Sequence, residues 1–186
     1  MNTVLSYIKF WWHSKNEHGV HSPFVYALVT KCFYDRTKHN AYSQLYKTDS
    51  KSKLLIRLVA YFKFETCFIP EKISKNFEHV LKLNTKTIKF KTIEDLMNLE
   101  ATVSKTPSLI YLDSKTIKQH STADFLKFCH RDSVIIVESI RETQSQFKYW
   151  KRLKSALEIS VSIDTFYWGL LFFRTEQPKE HFTIRL

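Results

Sequence analysis

The sequence SLIYLD at residues 108–113 is a continuous apolar run that ends in a carboxylate, and SVIIVE at residues 133–138 repeats that pattern. Runs that are apolar at every position are typical of strands buried on both faces, as in parallel sheets covered by helices on both sides. Segments with helical spacing separate these runs from their neighbours, as in chains that alternate strand and helix. The pattern predicts an α/β fold with a mostly parallel sheet.

Further strands are predicted on either side of this pair. Shorter apolar runs occur at residues 66–69 and 87–90. Near the end of the chain, Val161 and Ile163 begin a strand that is followed at once by the apolar run 168–173. Their connection is too short for a crossover, so this last pair is expected to be an antiparallel hairpin. We therefore predict about six strands.

Three helices are predicted before the first strand. Residues 2–14 carry apolar side chains at helical spacing, and a third apolar stripe begins at Leu54. Between them, Ser22–Pro23 combines a hydroxyl cap with a proline at the first helical position. The sequence thus divides into an N-terminal helical cap, residues 1–63, and an α/β domain, residues 64–186, which are expected to form one folding unit.

Cysteine usage and hydropathy favour a cytoplasmic protein. The three cysteines, Cys32, Cys67 and Cys129, are widely spaced and odd in number, and they lack the paired spacing of a zinc site. No apolar run approaches the roughly 20 residues that span a bilayer, and the N-terminus lacks the layout of a secretory signal. We expect buried reduced thiols, no metal site and no transmembrane segment.

Positive charge is concentrated in the N-terminal third. The chain has 29 basic and 18 acidic residues, a net charge of +11, and residues 1–63 account for +7 of it with ten Lys and Arg against three acids. Such a segment can attract nucleic acid or an anionic membrane surface. Its lysines are scattered, however, and Trp11 and Trp12 are expected to be buried on the helix stripe. The sequence therefore predicts weak, non-specific nucleic-acid binding at most.

Glycine is scarce where a cofactor site would need it. The only glycines are Gly19 and Gly169, and neither follows a predicted first strand. Nucleotide-type ligands in α/β sheets are held by glycine loops, because only glycine allows the close approach and the sharp turn. The chain has the pattern of a cofactor-binding fold without its cofactor loop.

Both ends of the chain resemble a known family. Lys15–Tyr26 (KNEHGVHSPFVY) is similar to the N-terminal motif of a group of Bacteroidetes class I S-adenosylmethionine-dependent methyltransferases. Val161–Arg174, continued through Glu180–Arg185, is similar to the closing hairpin of that group. The resemblance implies a Rossmann-like class I methyltransferase sheet, in which Leu109–Asp113 and Asp132–Ile140 stand at the fourth and fifth strands.

The chain departs from the family at the cofactor site. Phe64–Ile73 stands where family members have a strand, a glycine-rich loop and a helix, so a unit of about thirty residues is missing. The resemblance then implies a degenerate, non-catalytic relative that binds no S-adenosylmethionine and acts through a protein partner, a second copy or a residual ligand pocket. One alternative is a working methyltransferase whose cofactor site is rebuilt from Cys67–Ser74 and Asp113. Another is a binding module whose basic N-terminal third contacts nucleic acid or a membrane surface. Whether the protein is an enzyme stays open.

Four residues are candidates for a site. Asp113 and Glu138 are expected at the carboxyl ends of neighbouring strands, where open α/β sheets bind ligands. They could contact a cofactor or a divalent cation, although such a cation takes about six oxygens and no third acid is evident, or they could cap the following helices. His18 and His21 flank Gly19 and could accept a proton from a substrate, or could fix the loop beside the N-terminal helices.

Overall fold

The computed structural model describes residues 3–37, 39–44, 50–72, 78–79, 81–82, 87–99 and 106–186. The strands are β1 (Thr66–Phe68), β2 (Lys89–Lys91), β3 (Ser108–Leu112), β4 (Val134–Glu138), β5 (Val161–Asp164), β6 (Trp168–Phe172) and β7 (Glu180–Thr183). The α-helices are α1 (Thr3–His13), α2 (Pro23–Leu28), α3 (Ser50–Phe62), α4 (Ile93–Met97), α5 (Ser114–Gln119), α6 (Thr122–Leu126) and α7 (Gln144–Ser155). A π-helical turn, Val29–Phe33, continues α2, and residues 71–72, 78–79 and 81–82 are also helical.

The seven strands form one sheet in the order β2-β1-β3-β4-β6-β5-β7. All neighbours are parallel except at β6, which lies antiparallel between β4 and β5. The predicted α/β class, the mostly parallel sheet and the antiparallel closing pair are confirmed. Ser22 caps α2 as expected, because its side chain accepts a hydrogen bond from the Val25 N–H at 3.4 Å.

The prediction of about six strands is wrong by one, since β7 was not foreseen. This strand has four residues, Glu180–Thr183, none of them fully buried, and it pairs in parallel with β5. It has no continuous apolar run, and its alternation is short: Phe182 and Ile184 lie between polar residues. Backbone pairing to β5 is what identifies it as a strand.

Helices cover both faces of the sheet. One face, with Leu109, Ile136 and Leu170, packs against α2 and α3. The other face, with Ile110 and Ile135, packs against α4, α5, α6 and α7. This burial on both sides explains why β3 and β4 are apolar at nearly every position.

The three cysteines lie inside these cores, and all are free thiols. Burial raises the pKa of Cys32 to about 12 and raises the pKa of Cys67 as well. Cys129 donates a hydrogen bond to the Phe125 carbonyl at 3.4 Å. No helix within the described ranges is long and apolar enough to cross a membrane.

Gly169 is required by close packing against α7. It lies on β6 opposite Val137, and a Cβ at this position would overlap the six-membered ring of Trp150, which is itself 1% exposed. We expect Gly169→Ala to lower the free energy of unfolding by about 2 kcal/mol, the usual effect of overfilling a packed core. Urea unfolding followed by circular dichroism measures this loss.

Gly19→Ala is the matched control. The three atoms nearest to a Cβ at Gly19 all belong to the side chain of Lys15, the closest at 3.0 Å, and that side chain can turn away into solvent. Its substitution is expected to change stability by less than about 0.5 kcal/mol. Equal stability of the two variants would show that Trp150 moves aside at no cost.

Candidate functional site

The turn after β1, where an open α/β sheet binds its ligand, is described only as far as residue 72, so Ile73 and Ser74 of the rebuilt-site alternative lie outside the described residues. β2 and β3 lie on opposite sides of β1, so the switch point is at the carboxyl ends of β1 and β3. The chain leaves β1 through Ile69 and Pro70, and both side chains are buried. The Ile69 N–H donates to the Lys91 carbonyl at 3.0 Å, and proline has no N–H. Neither residue offers a backbone donor to a phosphate or a cofactor.

Asp113 serves as a helix cap at this edge. It is the N-cap of α5, and its carboxylate accepts a hydrogen bond from the Thr116 N–H at 2.8 Å. Of the two roles expected for Asp113, ligand contact or helix capping, this hydrogen bond is the capping one, because the carboxylate is engaged with its own helix.

Glu138 has a different set of neighbours. Its carboxylate lies 3.9 Å from the Lys51 amine, on the side of the sheet that carries α3. Burial, together with the charge of Glu138, raises the pKa of Tyr111 on the adjacent strand. Among the described residues, no three His, Cys, Asp or Glu side chains are grouped so that they could hold a metal ion.

His18 and His21 are exposed and lie on another side of the molecule. The segment that carries them is fixed to the β7 side of the sheet. The Lys15 N–H donates to Thr183 at 2.8 Å, and the Ser22 hydroxyl donates to Gln177 at 3.0 Å. β7 is four strands away from β3, about 19 Å at the usual strand spacing. The structure therefore does not bring these histidines to Asp113.

A cluster that the sequence did not reveal surrounds Arg141, just beyond the carboxyl end of β4. Its guanidinium forms a two-pronged ion pair with Asp164, with one bond of 2.6 Å, and donates to the Phe166 carbonyl at 3.2 Å. The rings of Phe10, Phe147 and Phe166 lie within 5.1–5.4 Å of the guanidinium carbon. We call these five residues the arginine cluster.

Two of the three described non-glycine residues with positive φ lie in or beside the arginine cluster. Ser139 and Phe166 have φ angles of 53° and 76°, in the left-handed region that non-glycine residues rarely adopt, and the third, Lys63, follows α3. Asp164 accepts a hydrogen bond from the Phe166 N–H at 2.9 Å, and the Ile140 N–H donates to Tyr167 at 3.2 Å. Such strain persists where the surroundings over-determine it, and it is typical of functional sites.

Three clefts meet at the arginine cluster. A cleft of about 160 Å³ lies between Tyr7, Leu54 and Trp168, and one of about 310 Å³ lies between Lys51 and Glu142. Phe166 lines both of them. A third cleft, of about 430 Å³, opens beside Arg141 and is lined in part by Lys9, His13 and Lys151. Aromatic faces with charges of both signs suit the binding of a small molecule or a peptide side chain.

The predicted burial of Trp11 and Trp12 is wrong. Trp11 is 50% exposed and Trp12 is 79% exposed. α1 contacts the domain through its other side, where the rings of Tyr7 and Phe10 meet Phe166 with centroids 4.9 and 5.3 Å apart. Stacking of nucleic-acid bases on these indoles was discounted because both were expected to be buried. Since both are exposed, that argument does not hold.

Fold and site together define an α/β protein with a mostly parallel sheet and an aromatic arginine cluster at the carboxyl edge of that sheet. Comparison of the chain with protein-family models, with curated proteins and with solved structures finds no significant match.

Proposed function

We propose that the chain is a degenerate class I methyltransferase-like protein that does not bind S-adenosylmethionine and acts through contacts rather than catalysis. The observation that carries this proposal is that Ile69 and Pro70, the first residues after β1, are buried and offer no free backbone N–H. A cofactor of this kind needs free backbone amides and room beside the first strand. The Ile69 N–H is hydrogen-bonded to the Lys91 carbonyl on β2, and Pro70 has no N–H.

The strand arrangement supports the methyltransferase-like, Rossmann-like part of the proposal. β6 is antiparallel and inserted beside β4, and helices cover both faces of the sheet. A mostly parallel sheet with an antiparallel C-terminal insertion is the topology that the family resemblance implies. Ancestry of this kind does not require activity, since function lies in the site rather than in the fold.

The arginine cluster supports the contact part of the proposal. The strained Phe166 and the guanidinium of Arg141 border clefts that lie beyond the ends of β4 and β5, away from the turn after β1. These clefts are the residual pocket, and they can receive a small ligand or a side chain of a protein partner.

We expect titration calorimetry of the purified protein with S-adenosylmethionine to give no heat of binding at sub-millimolar concentration. The physical reason is that Ile69 and Pro70 offer no free amide after β1 and that Asp113 is engaged with α5. Micromolar affinity would support the alternative of a methyltransferase with a rebuilt site.

Asp113→Ser distinguishes the two cases. Serine is also a good N-cap, so this variant keeps α5 while it removes the carboxylate. If S-adenosylmethionine binds the native chain but not Asp113→Ser, the site is rebuilt around this acid. If neither protein binds it and both unfold at the same urea concentration, the proposal stands.

A further inference from the structure

The outward face of α1 is apolar and exposed. Val4, Leu5 and Ile8 are more than half exposed, as is Trp12, and Trp11 is half exposed. Their spacing places all five side chains within about 120° of the helix circumference. A contiguous apolar patch of this kind on a surface marks an interaction site more often than scattered apolar residues do.

The domain holds this face outward. Phe10, on the opposite side of α1, is 6% exposed and stacks on the Arg141 guanidinium, and Tyr7 packs edge-on against Phe166. At the end of the helix, Lys15 pairs with Ile184 beside β7. α1 is thus fixed by its aromatic side, and each of the five side chains of its apolar stripe is half exposed or more.

The border of the stripe is basic. No acidic residue occurs between Thr3 and Asn16, while Lys9, His13 and Lys15 are exposed. The guanidinium of Arg185 lies over the Trp11 ring, 4.9 Å from its centroid. Apolar side chains with tryptophan at the boundary and lysine beside them are the composition of helices that lie in the interface of an anionic membrane.

We propose that this face of α1 docks on the surface of an anionic lipid bilayer. Trp11 and Trp12 enter the boundary between headgroups and acyl chains with the aliphatic side chains, and Lys9 and Lys15 contact lipid phosphates. A second copy is a poorer occupant, because a symmetric contact would bring the two basic borders together. RNA is also poorer, since Val4 and Ile8 offer it no hydrogen bonds and no stacking surface.

The test uses the full chain and lipid vesicles with and without phosphatidylserine. Trp150 and Trp168 are each 1% exposed, so a change in tryptophan emission on binding reports on Trp11 and Trp12. We expect cosedimentation and a blue shift of emission with the anionic vesicles. Binding should fall steeply as salt rises from about 0.05 to 0.5 M, because the electrostatic part is screened. Equal binding to neutral vesicles would overturn the anionic requirement and hence the proposal.

Two variants locate the contact. Trp11→Ser combined with Trp12→Ser is expected to weaken binding roughly 10-fold or more per ring, as the apolar area is lost. The matched control, Tyr26→Ser with Leu157→Ser, removes exposed apolar side chains from other elements and should bind as the native chain does. Equal loss in both variants would contradict a contact through α1.

Two further measurements test the competing occupants of this face, a second copy of the chain and RNA. Analytical ultracentrifugation that shows self-association sensitive to Trp11→Ser/Trp12→Ser, without vesicle binding, would assign the face to a second copy. RNA binding at physiological salt that the same variant abolishes, again without vesicle binding, would assign it to nucleic acid. Either result overturns the proposal, and neither depends on whether the protein binds S-adenosylmethionine.

Discussion

Deletion of residues 1–34 is expected to leave a chain that does not fold. This segment supplies six buried apolar side chains to the core on one face of the sheet: Val20, Val25, Leu28, Val29, Cys32 and Phe33. Burial of such side chains stabilises a fold by about 1.5–3 kcal/mol each, so their loss matches or exceeds a typical net stability of roughly 5–15 kcal/mol. It would also uncover apolar sheet residues such as Leu170, which favours aggregation.

Solubility and urea unfolding of residues 35–186 measure this effect. Deletion of residues 1–13 is the matched control, because α1 buries only Phe10 among its described side chains. We expect residues 14–186 to remain soluble and to unfold cooperatively. A soluble 35–186 fragment with a cooperative transition would show that the N-terminal helices are an independent appendage.

Arg141→Met is expected to destabilise the protein by about 3 kcal/mol, because it leaves the carboxylate of a largely buried pair without its partner. The side chains of Arg141 and Asp164 are only 13% and 12% exposed, and the guanidinium also holds the Phe166 carbonyl. The strained turn at Phe166 loses a contact that fixes it. Urea unfolding gives the loss of stability.

Arg174→Met is the control for this substitution. Arg174 also forms ion pairs, with Asp132 at 3.3 Å and with Glu176 at 2.8 Å, but its partners are more exposed than Asp164. Surface pairs of this kind contribute about 1 kcal/mol or less. If both variants lose the same stability, the Arg141–Asp164 ion pair contributes no more than a surface pair does. Other contacts then hold the strained backbone at Phe166.

The main strands could be predicted because their signal is local. The apolar runs at β3 and β4 reflect burial on both faces, and the short connection before β6 fixes an antiparallel pair. The Ser22 cap likewise depends on its immediate neighbours. β7 was missed because its apolar alternation is limited to Phe182 and Ile184, and charged and polar residues precede it.

The candidate site was harder to predict because it is assembled from distant parts of the chain. Asp113 and Glu138 are foreseen at strand ends, but whether a carboxylate binds a ligand or caps a helix depends on three-dimensional neighbours. The arginine cluster joins Phe10 to residues between 141 and 166. The left-handed backbone positions in and beside it are Phe166 and Ser139, residue types that give no sequence signal for positive φ. The stripe of α1 is visible in the sequence, but its outward direction is not.

The two outer strands bear on how copies of this protein can assemble. At one side of the sheet, β2 has only three residues, and Lys89 and Lys91 are exposed on it. At the other side the outer strand is β7. The backbone of Lys15 is hydrogen-bonded there to the Thr183 carbonyl and the Arg185 N–H. Short, lysine-bearing or covered borders resist the addition of a foreign strand, which is the route to domain swapping and fibril growth. Addition of a strand from another copy to either outer strand is thus disfavoured in the described part of the chain. Copies would then associate through helix surfaces instead.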